Sequence, residues 1–118
     1  MHGLDVGTDI SGLRGCTLEQ VALGEHQVQL RLSNDASISI EGEFSVTSTG
    51  EVAITYSRPR DAAQILADKL GLDIAAADVF EPGVLTVEFT DGSRLCAYDS
   101  SDHYESYQIC IGGRLIVV

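Results

Sequence analysis

The chain has 118 residues, 44% of them hydrophobic and 6% aromatic with no Trp, and 18 acidic against 7 basic side chains give it a formal charge of −11. That length suits one domain, and the apolar content supports a core of Val, Ile, Leu and Ala, which excludes wholesale disorder. The charge repels phosphate backbones and anionic lipid, so neither nucleic acid nor membrane is an expected partner; a basic protein or a divalent cation would be attracted instead.

An acidic balance also simply keeps a small protein soluble. There is no apolar run of spanning length, and Met1–Asp5 lacks the basic and apolar regions of a signal peptide. Cys16, Cys96 and Cys110 form no CxxC pair and no disulfide framework. Free thiols of this kind fit a reducing compartment, and a cytoplasmic location is expected.

Residues 1–17 read as an irregular lead-in with a short turn at Ser11–Arg14, and a strand is expected over Leu18–Leu23. In His26–Leu32 the alternation is clean, with Val28, Leu30 and Leu32 inward and Gln27, Gln29 and Arg31 outward. Ser33-Asn34-Asp35 is a turn cluster. Residues 38–47 alternate again, with Ile38, Ile40, Phe44 and Val46 on one side. That span is long for one strand, and it is expected to bend at Gly42. Val52, Ile54 and Tyr56 line a further strand.

Between 58 and 70 the period changes: Ala62, Ile65, Leu66, Lys69 and Leu70 recur three and four apart, which predicts an amphipathic helix. Ser57 is the expected N-cap, Pro59 lies in the first turn, and Gly71 is placed for a left-handed C-cap. Asp73–Asp78 is ambiguous between a helical turn and a linker, and Val79–Glu81 reads as a short strand closed by Pro82-Gly83.

Val84–Tyr98 is a β-hairpin around Asp91-Gly92. A three-residue loop, Thr90–Gly92, pairs Phe89 with Ser93, Val87 with Leu95 and Leu85 with Ala97. Leu85, Val87, Phe89, Leu95 and Ala97 then share one face, and Glu88 opposes Arg94 on the other. After the acidic loop 99–103, Tyr107, Ile109 and Ile111 line a strand, Gly112-Gly113 turns the chain, and 114–118 form a last strand. That strand is apolar on both sides, which places it centrally or at an interface and favours a homodimer.

The densest polar patch is Asp99, Asp102, His103, Tyr104 and Glu105, with Tyr107 beyond it. Its carboxylates and imidazole could hold a metal or small ligand if they converged, although the spacing of an EF-hand loop is absent. A solvated connection needs no ligand at all. His103 beside Asp99 or Glu105 supplies a base and an orienter but no nucleophile. Tyr104 and Tyr107 beside carboxylates offer rigid contact area, which makes a protein-binding patch the better functional reading. No phosphate-binding glycine motif is present, so nucleotide-phosphate binding has no support; no catalytic residue, metal ligand or cofactor is assigned, and the chain is not expected to be an enzyme.

The run Gly83–Gly92 followed by Asp102-His103-Tyr104-Glu105-Ser106-Tyr107-Gln108-Ile109 resembles a family of small uncharacterised bacterial, mainly actinobacterial, proteins. Their signature is Tyr-Glu-(Ser/Ala)-(Trp/Tyr)-Gln, and this chain carries Tyr107 at the second aromatic. The resemblance implies a domain of unknown function. It also implies, through relatives that accompany toxin systems, an immunity role against a basic toxin.

The expected architecture is α+β: one domain over 1–118, a twisted, mostly antiparallel sheet of five to eight strands, and the helix at about 58–70 on its apolar face. The expected function is non-catalytic protein–protein contact. The alternatives are immunity and a metal- or ligand-binding module at 99–105. A sheet curled around a ligand cavity is compatible with the same pattern.

Overall fold

The computed structural model describes residues 10–81, 83–98, 107–112 and 114–117. The strands are β1 (Leu18–Leu23), β2 (Val28–Leu32), β3 (Ser37–Ile40), β4 (Phe44–Thr47), β5 (Ile54–Tyr56), β6 (Ile74–Glu81), β7 (Val84–Phe89), β8 (Arg94–Tyr98), β9 (Tyr107–Ile111) and β10 (Arg114–Val117). They form two five-stranded antiparallel sheets, ordered β1-β2-β3-β9-β10 and β5-β4-β8-β7-β6. With one short helix, α1 (Ala63–Ala67), the fold is α+β.

Each sheet holds five strands, within the expected range; that there are two sheets follows from two stretches of the chain. Residues 38–47 do not merely bend at Gly42. They leave the first sheet after Ile40 and enter the second at Phe44, so one alternating run supplies both layers. Ile74–Asp78, ambiguous in sequence, joins the short strand expected at Val79–Glu81 in one edge strand paired with β7. Its Ala-rich start favours helix weakly, and ladder pairing with an apolar neighbour overrides that preference.

Alternation decides what is buried. In β2 and β7 every second residue is buried, because one face packs on the core and the other meets solvent. Ile38, Ile40, Phe44, Val46, Leu85 and Leu95 join one continuous apolar cluster with Ile10, Leu13 and Cys16. Ile10, Leu13 and Cys16 thus bring the described end of the lead-in into the core, through a 3₁₀ turn at Ser11–Leu13.

The central hairpin has the expected register: Leu85 pairs with Ala97, Val87 with Leu95 and Glu88 with Arg94. The Phe89 amide donates to the Ser93 carbonyl at 2.9 Å, closing the three-residue loop, and Gly92 takes φ +87°. A side chain at Gly92 would also meet Thr49 Oγ1 at 2.6 Å.

The helix is shorter than its periodicity predicts. Pro59–Ala62 is a 3₁₀ turn, α1 adds five residues, and turns follow to Gly71. Ser57 does not cap it; Arg58 takes the cap position without a side-chain cap and pairs with Asp61. Ala62 and Leu66 are buried as expected, whereas Leu70 is exposed and Lys69 turns inward. The Gly71 amide donates to the Leu18 carbonyl, which draws the chain away from the helix axis towards β1.

Candidate functional site

Asp99, Asp102, His103, Tyr104 and Glu105 lie outside the described residues. Tyr107 is described, and it is not contact area. It opens β9 opposite Ile40, is 0% exposed, and its hydroxyl donates to the Gly83 carbonyl at 3.1 Å. The alternation that puts Ile109 inside puts Tyr107 there too, two residues earlier on the same face. The surface expected of this patch therefore loses its second tyrosine to the core.

Among the described residues no group of three or more His, Cys, Asp or Glu side chains could hold a metal ion. His26 is exposed, with Nε2 3.5 Å from Glu25 Oε1. The three thiols are free. Cys16 is buried and donates to the Gly12 carbonyl, while Cys96 lies 3.6 Å from Thr86 Oγ1 on the outer face of the second sheet. On the same face the Ser45 and Tyr98 hydroxyls bond at 2.8 Å. Hydroxyls and a thiol meet there, with Asp78 opposite Thr86 across the neighbouring ladder.

The outer face of the first sheet is polar and largely uncharged. Gln20, Gln29, Arg31, Ser37 and Ser39 border two open hollows of about 610 and 330 Å³. Arg31 makes no ion pair among the described residues, and Glu19 and Asp35 stand at the rim of the larger hollow.

The electrostatic focus is the hairpin turn. Lys69 Nζ lies 3.3 Å from Asp91 Oδ2, and Asp91 Oδ1 accepts from the Ser93 amide and hydroxyl. The Ser93 hydroxyl, then its amide and Lys69, hold the Asp91 carboxyl below its ordinary range against a smaller opposing effect of burial. This cluster ties α1, β4–β5 and the hairpin together, and Thr49 adds a bond to the Asp91 carbonyl at 3.0 Å.

The sheet edges differ in how they are finished. At one side β1 and β6 are stitched to each other's approaches: the Leu18 amide donates to Leu72, the Ile74 amide to Cys16, and the Gly15 amide to Ile74. Thr17 bridges to Asp73. The opposite edges, β5 and β10, have no neighbouring strand among the described residues. They carry the most exposed large apolar side chains: Val52 (85%) just before β5, Ile54 (55%) in β5 and Leu115 (58%) in β10. Among the described residues β10 is therefore an edge strand and not a central one.

In the sequence the two-sided apolar character of 114–118 left a central and an interface position both open. Nothing marked β5, because Val52, Ile54 and Tyr56 read like any half-buried strand; only Tyr56, stacked on Phe44 at 5.6 Å, behaves so.

No helix among the described residues is long and apolar enough to cross a membrane. No curated protein and no solved structure matches the chain. One family does, over residues 9–118, and the chain belongs to it: the family of unknown function DUF6188.

Proposed function

We propose that the chain is a non-catalytic protein-binding domain whose contact surfaces are its two unfinished sheet edges. The observation that carries this reading is the coincidence of Val52, Ile54 and Leu115 with β5 and β10, while β1 and β6 are bonded to each other's approaches where they begin. An unpaired edge offers a row of N–H and C=O groups to an added strand, and apolar side chains beside it supply the burial that holds one there. The cytoplasmic location expected from the free thiols suits such a role.

The test is affinity capture with wild-type bait and with two edge variants, Leu115→Lys and the pair Val52→Lys, Ile54→Lys. A protein held by wild type and released by one edge variant supports the reading. Identical retention by all three baits refutes it.

Neutralisation of a basic toxin is a narrower form of the same reading, favoured by the charge of −11. Its mark would be association that speeds up steeply as salt is lowered.

A further inference from the structure

We propose that the occupant of the β10 edge is a second copy of this chain, paired antiparallel about a two-fold axis at Ile116. The proposal rests on the edge-contact reading above and assigns one of those edges its partner.

The register of the last hairpin sets the geometry. Ile111 pairs with Arg114 across a two-residue loop, Leu115 with Cys110, and Ile116 with Ile109. A two-residue hairpin loop closes on a hydrogen-bonded pair, and such pairs alternate with non-bonded ones along the ladder. Arg114 and Ile116 therefore turn their backbone groups towards β9. Leu115 and Val117 turn theirs to the open edge, two donors and two acceptors in all.

That set is self-complementary in one register. With Ile116 facing Ile116 of the second copy, each Leu115 meets the other copy's Val117, and all four outward groups on each chain are bonded. An axis at Leu115 would use only two of them within the strand. Two-fold pairing is also closed, so it makes a dimer and not a filament.

Charge favours this edge for a self-contact. Two copies of a chain carrying −11 repel each other, and residues 114–117 contain no carboxylate. The axis at Ile116 also keeps the two Arg114 residues at opposite ends of the pairing. Four-residue strands bury well under the roughly 1,200 Å² of a standard interface, so the dimer forms reversibly and its population rises with concentration.

The experiment joins sedimentation equilibrium to cross-linking in a Cys96→Ser, Cys110→Ser background. Facing residues of a non-bonded pair have Cα atoms about 4.5 Å apart, within disulfide reach. Ile116→Cys is expected to cross-link on oxidation. Leu115→Cys is not, because its counterpart lies two residues along and one strand across, about 8 Å away. Val117→Pro removes only an outward N–H, so it is expected to keep the monomer's thermal midpoint while weakening the dimer.

A monomer at every concentration overturns the proposal and leaves the edge-contact reading to its own capture test. A dimer that cross-links through Leu115→Cys and not Ile116→Cys overturns the register while keeping the edge. A dimer indifferent to Val117→Pro places the contact elsewhere and overturns it as well.

Discussion

Lys69 and Asp91 form an ion pair at 3.3 Å in which the ammonium is almost wholly buried and the carboxylate is partly open to solvent. The pair fastens the end of the helical segment to the turn of the central hairpin. Truncating Lys69 to Ala removes both the charge partner and the packing of its aliphatic stem. The expected cost is about 1–3 kcal/mol, read as a lower urea midpoint with unchanged m-value. Lys69→Met, which keeps the stem, is expected to lose less.

Asp91 makes stability depend on pH. Its carboxyl is held below the ordinary value of 3.8, first by the Ser93 hydroxyl and also by the Ser93 amide and Lys69. A lowered folded-state value stabilises the protein fully above 3.8 and loses that contribution as pH falls through the folded value. Wild type is therefore expected to exceed Asp91→Asn in stability at neutral pH by more than it does in strong acid. Urea titrations from pH 7 down to about 2 check this, and a gap that stays constant contradicts it.

Gly92 is constrained twice, by a φ of +87° and by Thr49 Oγ1 2.6 Å from where a Cβ would stand. Gly92→Ala is expected to destabilise by about 1–3 kcal/mol. In a Thr49→Ala background the steric part is relieved and a penalty of roughly 1 kcal/mol from the backbone remains. A double-mutant cycle of unfolding free energies separates the two.

Tyr107 is a core residue with a buried hydroxyl bonded to the Gly83 carbonyl. Tyr107→Phe is expected to cost about 1–2 kcal/mol by leaving that carbonyl short of a partner, and Tyr107→Ala about 3–5 kcal/mol through the cavity. If Tyr107 were surface contact area, the first change would leave the thermal midpoint unmoved.

Local patterns carried much of this fold into the sequence. The Asp-Gly turn with its flanking alternation sets the pairing of Leu85 with Ala97 and Val87 with Leu95, because a one-residue slip would expose the whole apolar face. The inward set Val28, Leu30, Leu32 follows from the same period. What the sequence leaves open is non-local. The helix at 58–70 loses its last turn because Leu18, far away in the chain, takes the Gly71 amide. Residues 38–47 look like one strand because nothing in them announces that their halves pair with different neighbours. The candidate edges are hidden for a similar reason: Ile54 resembles Val46 in pattern, and only the strand order leaves it uncovered.

The pairing of β3 with β9 has a consequence for how the molecule is made. Ile38 meets Ile109 across that ladder, so the middle of the first sheet joins segments far apart in the chain. Closing so wide a loop slows folding, and on the ribosome β3 must wait unpartnered on that side until β9 has emerged. During that interval its bare flank is open to pairing with the wrong strand, a hazard that the finished sheet no longer carries.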